Sequence, residues 1–328
     1  MKHLLKSSLI FLGSLVVVYL ALFAVLFFIQ PGGIPFIYRA TQGNLWEGGG
    51  TWIKFQKFNK EEKWDVIVLG SSHAYRGYDP EIFKQHGYKM YNLGTSNQHM
   101  MCTYFIAKNY LNKDNCKLLI LDIYDKVFSN NHIESKSDLI QNVCDDKTAL
   151  QTALASDDLR AINMIALRYF NKLEAPLNHD TAGYTNGYKV AAKFLDPRKK
   201  DEEKMKWTYS TCESQVKYLD KLLAYCKEAG IPVVVAEHPL PAIYTMRHHE
   251  YFLKDVEPIF KRHGVPFYDY MNAPGLTGIR MFSDPTHLNH LSVPIYNNLL
   301  IRDLQRDKRL PLSTNGTALV QQPDLQRK

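Results

Sequence analysis

Cysteine is scarce in this chain: Cys102, Cys116, Cys144, Cys212 and Cys226 are five in 328 residues, an odd number. None falls in a Cys-x-x-Cys or Cys/His metal spacing, so the spacing supports no zinc module, and no disulfide is assigned. Cys102, Cys212 and Cys226 fall on the apolar faces of expected helices, where cysteine acts as a small core residue. A concentrated charge of one sign is also missing. Forty Lys and Arg against 33 Asp and Glu leave a net +7, and the basic residues are spread along the chain. That argues against the basic face a nucleic-acid binder needs, so no nucleic-acid partner is expected. With 45% hydrophobic and 22% charged residues, the collagen-like, low-complexity and wholly disordered classes are excluded. The chain is long enough for one large core or two small ones.

What is present begins with a single long apolar run. Leu9 to Ile29 carries no charge over 21 residues, follows Lys2 and Lys6, and stops at Pro31-Gly32-Gly33. That length spans a bilayer as a helix. The apolar region of a cleaved signal peptide would be about 7 to 15 residues, and the only alanine pair there, Ala21 and Ala24, lies inside the run. Residues 1–30 are therefore expected to be an uncleaved signal anchor. Lysines ahead of the span place the N-terminus in the cytoplasm and everything after Gln30 on the exoplasmic side, periplasmic in a Gram-negative cell. Residues 31–63 read as linker and lead-in.

From Trp64 strand and helix signals alternate. "WDVIVLG" (64–70), "YKMYNLG" (88–94), "KLLILDIY" (117–124), "IPVVVAEHPL" (231–240) and "VPFYDY" (265–270) have strand length and apolar character. Between them come "DPEIFKQHG", opening on Asp79-Pro80, then helical patterns over Gln98–Leu111, around Cys212–Cys226, over "HHEYFLKDVEPIFKRHG" despite Pro258, and a closing helix in "HLSVPIYNNLLIRDLQRD". Such βαβ units imply an α/β fold with a doubly wound, five-stranded parallel sheet over residues 64–310. Residues 126–207 break the rhythm and read as an insertion, with a helical stretch from Lys147 to Leu173 and a solvated charged run, "DPRKKDEEKMK". Leaving the third strand, the insertion is expected over the carboxyl edge of the sheet. Residues 311–328 read as a loose tail.

Ligands of such sheets sit at that edge. "DVIVLGSSHAYR" (65–76) puts two serines and a histidine there, and "MFSDPTHLNH" (281–290) puts Asp284 three residues before His287 after the fifth strand. A serine hydroxyl becomes nucleophilic when a neighbouring histidine takes its proton, and an Asp that accepts from Nδ1 turns Nε2 toward the serine. Either motif alone is ordinary, a turn or a loop hydrogen bond. Both at the ends of the first and last strands point to one site.

These stretches resemble the SGNH, or GDSL-like, hydrolase superfamily from about Trp64 to Asp307. "VLGSSHA" resembles the first block, with Ser72 as nucleophile and Ser71 in the usual Asp position. "MYNLGTSN" resembles the second, whose glycine, here Gly94, donates its N–H to the oxyanion. "DPTHLN" matches the last block, giving Asp284 and His287. The third departs: Gly-x-Asn-Asp is expected, and "LDIYD" has Tyr124 where the Asn would fall. Asn97 or Asn92 near the end of the second strand would be the substitute donor if one is present, with the backbone N–H of Ser72 as the other member of the oxyanion set. The resemblance implies a flavodoxin-like SGNH fold and an acyl-ester hydrolase or O-acyltransferase of membrane-anchored, exoplasmic type, related to proteins of envelope polysaccharide O-acetylation and teichoic-acid D-alanyl transfer. Its partners would be an acylated envelope polysaccharide, the membrane through the N-terminal helix, and a multi-spanning membrane acyltransferase. An α/β-hydrolase elbow is excluded because Gly-x-Ser-x-Gly is absent, position 74 being Ala. The missing third-block Asn leaves a second reading open, a domain of this fold that binds polysaccharide or serves as a scaffold without turnover.

Of the other residues near the edge, His73 is expected to cap the next helix or line the site, Arg76 to hold substrate or form a surface ion pair, and His238 to contact substrate beside a structural Glu237. His248 and His249 read as solvent-exposed. No metal and no cofactor are expected.

Overall fold

The computed structural model describes residues 1–31, 35–37, 49–171, 183–196, 206–243, 245–247 and 249–312. Five strands, β1 (Val66–Leu69), β2 (Met90–Asn92), β3 (Leu119–Ile123), β4 (Val233–Glu237) and β5 (Phe267–Asp269), form one parallel sheet in the order β2-β1-β3-β4-β5. Each corresponds to one expected run, trimmed at its ends. Strands β1, β2 and β3 are buried at every position, as befits a parallel sheet covered on both faces. Chain order reverses at β1, which has β2 on one side and β3 on the other. The carboxyl ends of β1 and β3 therefore flank the crevice where doubly wound sheets bind ligands.

Twelve helices of the described residues are numbered α1 (Lys2–Phe28), α2 (Gly49–Lys57), α3 (Ser72–Gly77), α4 (Pro80–Gln85), α5 (Met100–Tyr110), α6 (Asp125–Phe128), α7 (Ile133–Asn142), α8 (Asp146–Ala155), α9 (Leu159–Asn171), α10 (Glu213–Glu228), α11 (His249–His263) and α12 (Ser292–Arg306). Strand periodicity divides the core between them. Ile67, Leu69, Leu121 and Val235 face a layer built on α2, α5, α10 and α11, while Val66, Val68, Ile120 and Val234 face α3, α4 and α12. Helix α11 runs through Pro258.

Helix α1 is long and apolar enough to cross a membrane, none of it is buried, and Phe23, Leu26 and Phe27 near its end pack against the body. The lead-in is not all linker. Helix α2 inserts Phe55 into the core, with Phe58 just beyond it. The helical stretch expected from Lys147 to Leu173 is two helices, broken at Ser156, the C-cap of α8. Cys212 lies in the N-cap position of α10 and not on its apolar face, and all five cysteines are free.

Only part of the insertion lies over the carboxyl edge. There Ser96 Oγ–H donates to Glu134 at 3.0 Å and the His99 N–H to Ser135 Oγ at 2.9 Å, which seats α7 on the loop after β2. The hairpin Tyr184–Thr185 and Tyr188–Lys189 meets the end of β2, where the Asn92 N–H donates to the Asn186 carbonyl at 2.9 Å. Helices α8 and α9 pack instead beside α5 and α7, with Asn109 donating to Gln151 at 2.8 Å. Most of the charged run, residue 248 and the tail from 313 onward lie outside the described residues.

Candidate active site

Chain direction reverses abruptly after β1. Gly70 has φ +153°, its N–H donates to Gln98 Oε1 at 3.1 Å, and the Ser71 hydroxyl accepts from the His73 N–H, starting α3 at Ser72. Ser72 is thereby left half-buried above the sheet, with a first-turn N–H that has no intrahelical partner. On the far side Asp284 Oδ1 accepts from the backbone N–H groups of Thr286 and His287 at 3.1 and 3.0 Å, which folds the last loop so that His287 returns over Ser72.

The structure brings Ser72, His287 and Asp284 into one hydrogen-bonded row. Asp284 accepts from His287 Nδ1 at 2.8 Å, and the Ser72 hydroxyl lies 2.7 Å from His287 Nε2. An ionised carboxylate only accepts, so Nδ1 carries the proton and Nε2 accepts from Ser72. Burial pushes the Asp284 carboxyl up, yet the hydrogen bonds and charge of His287 outweigh it and hold the group at about 2. For His287 burial wins over the stabilising Asp284, and its pKa is lowered. At neutral pH the row is therefore carboxylate, neutral imidazole and hydroxyl, the protonation pattern that general-base activation of a serine requires.

Arg76 lies behind this row. Its guanidinium meets Asp284 Oδ2 at 3.3 Å, a partly exposed ion pair, the second of the two roles expected of Arg76, here with Asp284 as partner. His73 and His238 are buried, at 1% and 2% exposure, and neither lines an open surface. They stack on each other at 4.7 Å, and His73 meets the edge of His287 at 5.0 Å and Tyr124 at 4.0 Å. Burial lowers both pKa values, that of His238 to about 3, so this pair supports His287 as neutral aromatic packing. His238, expected to contact substrate, is placed beneath the site with its ring packed on His73.

Of the expected oxyanion donors, Gly94 has its N–H committed to Asn92 Oδ1 at 3.0 Å. Asn97 is half-buried with φ +45°, and its side chain makes no hydrogen bond among the described residues. It sits next to Gln98, which ties this loop to Gly70.

Two groups went unnoticed in the sequence. Lys54 of α2 is buried, donates to the Gly94 carbonyl, and burial lowers its pKa to about 7. Asp122 of β3 is buried and accepts from Tyr78 at 2.8 Å, and Tyr78 in turn meets Tyr296 at 2.8 Å. The signal for Asp122 was there, a carboxylate inside the apolar run "LLILDIY"; for Lys54 there was none. His249, expected in solvent, has a side chain only 15% exposed and lies beside Glu237.

No family model and no curated protein matches this chain. Among solved structures it is similar to a candidate acylhydrolase from Bacteroides fragilis, 11% identical over 78% of this chain and 94% of that one, with a TM-score of 0.40. A lipase/acylhydrolase from Enterococcus faecalis is 11% identical over 77% and 100% of the two chains, with a TM-score of 0.38. A mutant of an acetyl-xylooligosaccharide esterase from Geobacillus is 8% identical over 75% and 96%, also at 0.38. At these scores the likeness assigns neither residues nor an activity.

Proposed function

We propose that the chain is a membrane-anchored SGNH-type acyl-ester hydrolase or O-acyltransferase acting on acylated cell-envelope polysaccharide. The observation that carries the reading is the row Asp284–His287–Ser72 at the carboxyl edge of a five-stranded parallel sheet. Ser72 Oγ attacks the ester carbonyl while its proton passes to His287 Nε2. The leaving alcohol takes that proton, and an acyl-Ser72 ester remains. Water or a sugar hydroxyl then attacks the acyl carbon and gives its proton to His287, which passes it to the departing Ser72 Oγ, leaving the free acid or the new ester and the resting row. The Ser72 N–H and the Asn97 amide are the proposed oxyanion donors. Gly94 joins them only once Asn92 lets go of its N–H. The polysaccharide follows from the resemblance of the sequence blocks, and the exoplasmic side from Lys2 and Lys6 ahead of α1.

A second reading, a binding or scaffold domain without turnover, draws on the engaged Gly94 N–H and on Tyr124 in place of an amide donor. A fluorophosphonate probe separates the two. The full chain in detergent is expected to be labelled on Ser72 and to cleave p-nitrophenyl acetate. Absence of both label and turnover would establish the scaffold reading instead.

Acidity provides a further check. His287 works only when neutral, and its pKa is lowered chiefly by burial. Thus kcat/KM should rise with pH along a limb centred below the ordinary imidazole value of about 6.5 and stay level above it. A midpoint above that value would remove His287 from the role of base. For topology, alkaline phosphatase fused after residue 328 should be active in a bacterial host and stay with the membrane fraction at alkaline pH. An inactive fusion would reverse the orientation, and a shortened soluble product would make α1 a cleaved signal.

A further inference from the structure

On the other face of the same sheet edge, three side chains from separate segments meet. Glu237 and Asp269 are register partners at the ends of β4 and β5, and His249 opens α11. Each offers a ligand atom within 4.8 Å of the other two, and His249 Nε2 lies 3.8 Å from Glu237 Oε2. Consecutive strand residues point to opposite faces. His238 turns toward His73 and the Ser72 site, so Glu237 turns away from it, toward the layer in which His249 lies 5.7 Å from the Phe252 ring.

Glu237 is 1% exposed, and among the described residues neither of its carboxylate oxygens has a hydrogen-bond partner. The same holds for both ring nitrogens of His249. Burying such groups unpaired costs several kcal/mol each, and proteins normally pair them or set them on a metal. The surroundings deepen the problem. Asp125, also buried with both oxygens unpartnered, adds a further acidic group whose field Glu237 feels, together with that of Asp269. No Lys or Arg forms an ion pair with Glu237, Asp269 or Asp125 among the described residues; Lys126, the neighbour of Asp125, reaches over the Trp207 ring at 4.8 Å.

We propose that Glu237, His249 and Asp269 bind one divalent transition-metal ion, Zn²⁺ or Mn²⁺. Two carboxylate oxygens and an imidazole nitrogen are a donor set for such ions, whereas Mg²⁺ and Ca²⁺ take oxygens alone. Around a tetrahedral ion at about 2.0–2.2 Å the ligand atoms are about 3.3–3.6 Å apart. The 3.8 Å pair needs a side-chain shift of a few tenths of an ångström to reach that spacing, and a pair as far apart as 4.8 Å a rotation that closes about 1 Å. Asp269 is exposed, so a remaining coordination position opens to solvent. Because the site faces away from Ser72, its work is structural: it joins the ends of β4 and β5 to the start of α11. The proposal is independent of the acyl-ester reading. No sequence signal marks the site, because the ligands are 12 and 20 residues apart and no pair has motif spacing.

The test uses the full chain in detergent, without a histidine tag, stripped with a chelator and then given ZnCl₂ or MnCl₂. Bound metal is counted by mass spectrometry and stability is followed by thermal unfolding. The expected result is one equivalent bound and a rise in Tm of about 5 °C at a hundredfold excess over Kd. Glu237→Gln and Asp269→Asn should each lose that equivalent and the rise. Asp269 is exposed, so its variant keeps the fold, which circular dichroism verifies. The proposal is overturned if neither ion binds the wild type, if only Mg²⁺ or Ca²⁺ binds, or if Asp269→Asn retains the equivalent and the rise in full. A Glu237→Gln chain as stable as the stripped wild type, in a protein that binds no metal, would show that Glu237 is merely a protonated buried acid.

Discussion

Ser72→Ala and His287→Ala should each lower p-nitrophenyl acetate turnover by about 10⁴-fold or more, and the double variant should be scarcely worse than either one. The reason lies in the row itself. Ser72 has one base in reach, 2.7 Å away, and His287 has one hydroxyl to activate, so both act in a single step and removing either removes the step. Asp284→Asn should cost about 10²- to 10⁴-fold. It keeps an oxygen near Nδ1, but it loses the charge that favours the imidazolium and allows the wrong tautomer, in which Nε2 carries the proton. It also releases Arg76, whose guanidinium would then lie uncompensated beside the site. The assay uses the full chain in detergent, with an acetylated envelope polysaccharide as second substrate, and each variant is checked for folding by circular dichroism. Turnover in Ser72→Ala equal to that of the wild type would sink the nucleophile assignment. Additive losses in the double variant would mean that Ser72 and His287 act in separate steps.

The readable parts of the fold were those governed by local pattern. Val66–Leu69, Leu119–Ile123 and Val233–Glu237 are apolar runs too short for helices, and burial on both faces leaves them no alternation to obscure. The Asp284–His287 contact was legible because the two lie three positions apart. Ser72 and His287 are 215 residues apart, and only the rule that parallel strands gather their carboxyl ends at one edge placed them together. Helix α2 was hidden by its glycines and by Lys54, a charge on a face that turns out to be buried; the lysine makes an apolar stripe look like linker. The Ser156-Asp157-Asp158 break between α8 and α9 did carry a signal, since such residues cap helices, but the flanking helical patterns masked it. The engagement of Gly94 by Asn92 is a two-residue side-chain turn, legible in principle in "NLG". What no local pattern could show was that His73 and His238, met as site residues, stack in the dark beneath it.

Gly70→Ala should destabilise the chain by about 3–5 kcal/mol. A Cβ at Gly70 would lie 2.6 Å from the Asp122 carbonyl oxygen, 2.9 Å from the Asp122 Cβ and 3.0 Å from the Ala74 Cβ, at a φ of +153°. The first of these is backbone of β3, a strand paired on both sides, with Leu121 opposite Leu69 and Asp122 opposite Ala236. It cannot retreat without opening the sheet. Asp122 is held further by Tyr78, and Ala74 belongs to the helix that carries Ser72. The strain must therefore move the turn itself, and Ser72 with it. A displacement of about 1 Å at a reacting atom costs about 100-fold in rate, so activity should fall even where the folded form persists. Gly264→Ala separates crowding from backbone strain, since Gly264 has φ +67° and nothing within 4 Å of an added Cβ. It should cost only the left-handed penalty of about 1–2 kcal/mol and leave turnover unchanged. Thermal and denaturant unfolding of both variants, read beside turnover on the full chain, decides the matter: equal losses of stability would mean that the Asp122 carbonyl yields, and that the tight approach of β1 to β3 does not fix the position of Ser72.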